Sequence, residues 1–421
     1  MSHARRAGRT LALVTTGALG LSGLGALGAP AEAATSTPYT FQSYAYGTTI
    51  TGGSLPASSG KTAYALLGCT NLAGRTDRNK IAGLKLSGLT TGAITSATRS
   101  YRSAHKTFNV SAVNQVAKVT AGSDSGPRLT ITALKATARS WHNRSGYHSS
   151  LSYTGKVAFS ATPGAPSVPI AFPREGRSVT LPGLGTLYGG VKTLKHNKSS
   201  ATANGYSLRL HLDASDSTVR LGHTRTVLRR GLASGVMSGR AFGSKVTALK
   251  GAVTSGETAL DVLGCQGTGG RVIRTSTAST VVPNAISAGV TVSKVRGVGS
   301  RRSKLADART SNTVARVSVG GGQAVIRGIR ARAHVHKNRS GKLTSGVAGT
   351  TPGRITVNGR TVALPAKGTY RVPNLLTVRT HVVKRSSTGI RVVAVRLTLL
   401  SGSAAGSTVD LGNASARIAR H

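Results

Sequence analysis

Ser207-Leu208-Arg209-Leu210-His211-Leu212 switches between polar and apolar at every step. A period of two puts the three leucines on one face of an extended strand and Arg209 and His211 on the other. The same alternation runs through Ile329–His336 and, less cleanly, through Ile131–Ala138. Asn358-Gly359 separates Ile355-Thr356-Val357 from Thr361-Val362. A two-residue type I′ hairpin needs positive φ at both central positions, and this dipeptide adopts it readily. No convincing helical period appears outside the N-terminal segment. Strands with one apolar face must bury it against a second sheet or close into a barrel. The chain is therefore expected to be all-β, made of sandwich or barrel-like domains.

The pattern occurs twice. Ala45-Tyr46-Gly47 matches Ala241-Phe242-Gly243 at an offset of 196 residues. The same offset aligns Ser59-Gly60 with Ser255-Gly256, Thr62-Ala63 with Thr258-Ala259, and Leu67-Gly68-Cys69 with Leu263-Gly264-Cys265. Further on, Asn143–Gly146 matches Asn338–Gly341, Leu181-Pro182 matches Leu364-Pro365, and Leu221-Gly222 matches Leu411-Gly412. Short matches in a fixed order, so far apart, indicate two tandem domains and not a solenoid, whose repeats run about 20–50 residues. The expected division is a first domain at 37–228, a short basic linker at 229–239, and a second domain at 240–421.

The N-terminus reads as a secretory signal peptide over 1–34. Met1–Arg9 is cationic, Thr10–Gly28 is apolar and interrupted by glycine, and Ala29–Ala34 offers small residues for cleavage. An uncleaved anchor is the competing reading. No later stretch reaches the roughly 18–20 apolar residues needed to span a bilayer, and the C-terminal residues show no hydrophobic tail. The expected location is extracellular, with non-covalent association to the cell wall.

Net charge is +46, from 56 basic and 10 acidic residues. Removal of 1–34 deletes three arginines and one glutamate, which leaves +44 on the remainder. Such a surface attracts polyanions and repels its own copies. Outside a cell these are anionic wall polymers, anionic lipid head groups and released nucleic acid. Aromatic content of 4% weighs against proteins that stack bases or sugar rings on aromatic platforms. Basic clusters occur at Arg225, Arg229 and Arg230, at Arg301, Arg302 and Lys304, and at Arg327, Arg330 and Arg332. In the last cluster Arg330 and Arg332 share one strand face and Ile329 and Ala331 the other. That arrangement meets phosphates without reading bases.

Catalytic constellations are sparse. Asp213 with Asp216 and Glu257 with Asp261 are acids close in sequence, but neither pair recurs in the other copy. General acid-base work needs two carboxylates in different environments. No Gly-x-Ser-x-Gly elbow is present, and His148, in Gly146–Ser150, has no counterpart. His334 and His336 share a strand face and suit weak metal binding at most. No catalytic residue, metal site or cofactor is expected, and the chain is not expected to be an enzyme. Cys69 and Cys265 occupy equivalent positions. In an oxidising compartment they either form one inter-domain disulfide or stay as two buried thiols.

Tyr44–Gly47, Thr62-Ala63, Leu67–Thr70, Gly146–Ser150, Leu181–Gly185 and Val219–His223 together resemble the actinobacterial "choice-of-anchor P" proteins. The resemblance spans nearly the whole chain after the leader and is better in the first copy. It implies placement at the cell surface or outside the cell, and carries over no catalytic residue. Departure from the family falls after Leu411-Gly412, where no anchor follows. The reading is thus an exported binding or structural protein that contacts anionic cell-wall polymers through a basic surface. Extracellular nucleic-acid binding and hydrolysis of an envelope polymer are the alternatives.

Overall fold

A computed structural model describes residues 34–419 apart from 52–60, 87, 124, 249–252, 255–256, 279, 283–285 and 402–404. The expected signal peptide lies outside the described residues except for Ala34, as do Ser59-Gly60 and Ser255-Gly256 of the repeat. In the first half the long strands are β1 (Thr35–Thr51), β2 (Ala65–Ala73), β3 (Ile94–Ser103), β4 (Thr107–Gly122), β5 (Arg128–Asn143), β6 (Gly146–Ser160), β7 (Gly185–Asn197), β8 (Ser200–Leu212) and β9 (Ser217–Arg230). In the second half they are β10 (Val236–Ala248), β11 (Thr291–Gly299), β12 (Ala306–Val319), β13 (Ala324–Lys337), β14 (Leu376–Ser386), β15 (Gly389–Leu399) and β16 (Thr408–Ala419).

Each half is a pair of antiparallel sheets, so the expected all-β, two-copy architecture is what forms. In the first half, one sheet runs Ser178–Leu181, β7, β8, β9, β1, β2. The other runs Val168–Ile170, β6, β5, β4, with β3 and Leu89–Thr91 both pairing along β4. The second half repeats this as Gly368–Val372, β14, β15, β16, β10, with Asp261–Leu263 beside β10, facing Arg354–Val357, β13, β12, β11. In β8, Leu208, Leu210 and Leu212 turn inward, as their alternation dictates. They pack with Val219 and Leu221 on the neighbouring strand and with Ile131 and Leu134 of the facing sheet. Truncating a fully buried leucine such as Leu208 costs about 2–5 kcal/mol. The Asn358-Gly359 hairpin joins Arg354–Val357 to Arg360–Ala363, with φ of 48° and 80° at its two turn residues.

The duplication holds down to single hydrogen bonds. Thr48 N–H donates to Thr62 Oγ1 at 2.8 Å, and Ser244 N–H donates to Thr258 Oγ1 at 2.9 Å. Asn114 Nδ2 donates to Ser96 Oγ and Asn312 Nδ2 to Ser293 Oγ, both at 2.9 Å. Ala63 and Ala259 share a left-handed φ of 47° and 48°. Gly47 and Gly243 sit where a methyl group would collide with Ile94 in one copy and Thr291 in the other. Glycine at these two positions is a requirement of close packing.

In both halves the first strand pairs with the last. Tyr46 lies opposite His223, and Phe242 lies opposite Asn413. Entry and exit of a half are therefore side by side, so a second copy needs little chain to follow the first. The join is shorter than the 229–239 expected: β9 runs through Arg230 and β10 begins at Val236.

The two halves are bonded to each other. Cys69, on the buried face of β2, forms a disulfide with Cys265, with a Cα–Cα distance of 5.0 Å. Val236 and Ala419 pack around it. The bond joins equivalent positions of the two copies, but its surroundings differ: Cys69 Sγ approaches the Leu263 carbonyl, whereas Cys265 Sγ approaches the Phe41 carbonyl. Residues Ala34–His421 make one compact unit.

Digestion without reductant is expected to release the Cys69 and Cys265 peptides as one cross-linked species. A free thiol at either position in the denatured, unreduced protein would contradict the structure. The bond spans 196 residues of chain. By the chain-entropy account it stabilises the fold by on the order of 5 kcal/mol, so reduction should lower Tm by several degrees.

Candidate anion-binding surfaces

The sheet β11–β12–β13 turns Ile329, Ala331, Ala333 and Val335 into the core and Arg330 and Arg332 to solvent. The basic stripe read from the sequence therefore forms. Its neighbours come from strand register. Lys294 lies opposite Ser311, which lies opposite Arg332; Arg296 lies opposite Arg309, which lies opposite His334. Side chains directly opposite in an antiparallel pair stand about 5 Å apart at Cβ. The result is a basic groove of about 420 Å³ lined by Lys294, Arg296, Arg309, Arg332 and His334.

Asp307 is the acid on this face. It accepts from Arg309 Nε at 2.8 Å and from His334 Nε2 at 2.7 Å, and His336 Nδ1 lies 3.5 Å away. Burial pushes its carboxyl up, but the hydrogen bonds from His334 and Arg309 outweigh that and hold it below the usual range. His334 and His336 are thus turned to a shared carboxylate. Among the described residues no group of three His, Cys, Asp or Glu side chains is placed to hold a metal. Among the same residues no acid pairs with Lys294, Arg330 or Arg332.

The other nominated cations lie elsewhere. Arg327, exposed, faces Arg316 across the β12–β13 pair. Arg301, Arg302 and Lys304 are exposed in the loop between β11 and β12, where Ser300 Oγ accepts from the backbone N–H of Arg302 and Ser303. Arg225 and Arg229 share the outer face of β9. Burial, then the like charge of Arg225, lowers the Arg229 pKa, and Arg229 Nε has no hydrogen-bond partner. Arg230 is exposed at the end of the strand, and its carbonyl accepts from Gln266 Nε2 at 2.7 Å.

The sequence reading missed a layer of rings on the outer face of β1, β8 and β9. His223 stacks on Tyr46 at 4.6 Å and on Tyr44 at 5.5 Å. Lys61 Nζ sits 5.3 Å from the Tyr44 and Tyr46 rings and 5.2 Å from Tyr64. Arg209 stacks over Tyr188 at 3.9 Å, and Arg220 lies 5.7 Å from Tyr206. A desolvated cation over such rings gains about 2 kcal/mol. The signal was present in Tyr44–Gly47 and Val219–His223, but only the strand register brings these segments together.

A cleft of about 670 Å³ opens between this region and the second half. Its walls are β2 with Lys61 and Tyr64 on one side, and β10, β15 and β16 with Arg240, Arg391 and Arg417 on the other. Glu257, its side chain 6% exposed, lies 3.1 Å from Arg240 and 3.8 Å from Lys245. Lys61 and Glu257 occupy equivalent positions of the two copies, as do Tyr44 and Arg240.

The acids close in sequence each have partners nearby. Asp213 and Asp216 lie 3.7 and 3.8 Å from His211 in the turn after β8. Glu257 holds cations, and Asp261 accepts from Thr275 Oγ1 at 2.5 Å. His148 Nε2 is bonded to Asn143 and Ser145 within its own hairpin turn. No protein-family model matches the chain, and no curated protein matches its sequence.

The buried His223 ring gives a pH test. Burial first, then the charges of Lys61, Arg225 and Arg220, lowers its pKa to about 3. The unfolded chain has an ordinary histidine near 6.5. Below that value the unfolded state takes a proton the folded state refuses, so stability falls as pH drops from about 6.5 towards 3. His223→Asn, the residue that the second copy carries as Asn413, removes this loss. Tm is expected to fall more steeply from pH 7 to 4 in the native protein than in the variant. Parallel curves would show that the ring is protonated in the fold.

Proposed function

We propose that this chain is an exported binding protein that holds anionic cell-envelope polymers against basic sheet faces, without catalysing a reaction on them. The observation that carries this reading is the outer face of β11–β12–β13. There Lys294, Arg296, Arg309, Arg330 and Arg332 are grouped by register, with Asp307 the acid among them. A repeating polyanion lying on such a face meets several cations at once, and contacts of this kind release counterions. The net charge of +46 and the leader-like N-terminus agree with a site of action outside the cell. Such placement is also what the resemblance to choice-of-anchor P proteins implies.

Extracellular nucleic acid is the second reading. It is favoured by the alternation of arginine and tyrosine on the outer face of β7, β8 and β9, where Arg209 covers Tyr188 and Arg220 approaches Tyr206. Arginine and aromatic planes are the elements that stack unpaired bases.

The two readings part in a pull-down on purified actinobacterial cell walls, with and without nuclease treatment. The polymer reading expects binding at low salt that survives nuclease and weakens at least tenfold in Arg330→Glu/Arg332→Glu. Loss of binding after nuclease moves the ligand to nucleic acid. No binding at low salt sinks the proposal.

A further inference from the structure

The cleft between the halves is chemically unlike the open sheet face. Glu257 lines it with its side chain almost fully buried. Arg240 and Lys245 contact it directly. Lys61 and Arg391 also feel its charge. Two cations thus contact one carboxylate, and two more interact with it through space. The remaining acids nearby are engaged: Asp410 accepts both Nε and an Nη of Arg396 at 2.6 and 2.9 Å, Asp261 is bonded to Thr275, and Asp77 accepts the Leu66 N–H at 2.7 Å.

Arg391 is the informative member. It is half-buried, faces the like charge of Arg240, and among the described residues has no hydrogen bond or ion pair. The Tyr64 hydroxyl, on the opposite wall, is buried and has no partner either. A guanidinium and a hydroxyl without partners, both lining one basic cleft, are the donors an oxyanion needs. The volume of about 670 Å³ lies within the range of small-ligand sites. Lys61 sits over three tyrosine rings, which fix its place on one wall.

We infer that this cleft is a distinct site for one compact, multiply charged oxyanion of the phosphate or polycarboxylate class, held by Arg391, Arg240 and Lys61 with Tyr64 as a neutral donor. The site forms only where the two copies meet. Its cations come from both halves, and Cys69 of the disulfide lines the same cleft. Glu257 sets the balance of charge. It draws Arg240 and Lys245 to itself, and an incoming anion competes with it for them. This inference does not depend on the polymer reading, because its ligand is small and its residues are not those of the β11–β12–β13 face.

Isothermal titration calorimetry of the purified protein with pyrophosphate and with citrate, at constant ionic strength, tests it. Saturable 1:1 binding of either is expected, and the tighter ligand identifies phosphate or carboxylate as the preferred chemistry. Arg391→Gln should weaken binding at least tenfold. Glu257→Gln should tighten it several-fold, a change that misfolding does not produce. Arg330→Gln, on the other face, should leave it unchanged. Absence of saturable binding by the native protein would overturn the inference. So would equal weakening by Arg330→Gln and Arg391→Gln, or weaker binding in Glu257→Gln.

Discussion

The architecture depends on a single covalent contact between like-charged bodies. Each half carries a large excess of arginine and lysine, and two such halves repel each other. The Cys69–Cys265 bond joins them at equivalent positions of the repeat. Around the bond the apolar packing comes from the second half, chiefly Val236 and Ala419. Nearby, the walls draw apart into a basic cleft. A fold held mainly by hydrophobic burial between its halves would have filled that space.

Divergence of the copies follows from the same geometry. Where charged residues of the two copies come near each other at the junction, identical charges would repel. Position 61 is lysine in the first copy and its equivalent, Glu257, is an acid in the second, and the two sense each other's charge across the junction. Position 44 is a tyrosine that stacks on His223, while its equivalent, Arg240, binds Glu257. Core positions have not diverged in this way. Asn114 and Asn312 keep the same buried hydrogen bond to serine, and Gly47 and Gly243 the same close approach.

The fold was legible in the sequence wherever one strand carried its own signal. The alternation in Ser207–Leu212 names the buried face without any partner, and Asn358-Gly359 specifies its own turn. The order of the repeated motifs showed two copies. Arg330 and Arg332 were readable as a stripe because they lie on one strand. Lys294, Arg296 and Arg309 were not, because their nearness comes from register across three strands, which local pattern does not encode. The ring layer was hidden for the same reason: Tyr46 and His223 are 177 positions apart and meet only because first and last strands pair. For the cysteines, equivalence in the repeat pointed to a bond, but period two alone did not tell a bridge from two buried thiols. The join was drawn too long because its basic composition resembled a linker, while both ends belong to strands.

The two surfaces offer different contacts to anions. The sheet face offers repeated, solvent-exposed cations to an extended ligand, with affinity spread over many weak contacts. The cleft offers fewer donors, partly shielded from water, to a compact one. The most direct test of the account is the salt dependence of binding to a linear polyphosphate of defined length. Counterion release makes the slope of log K against log salt about −0.7 per phosphate neutralised on a flexible strand. Engagement of the β11–β12–β13 face by its grouped cations predicts a slope of about −3 to −4, reduced by about 1 to 2 in Arg330→Gln/Arg332→Gln. A slope near zero, or one that the variant leaves untouched, would contradict it.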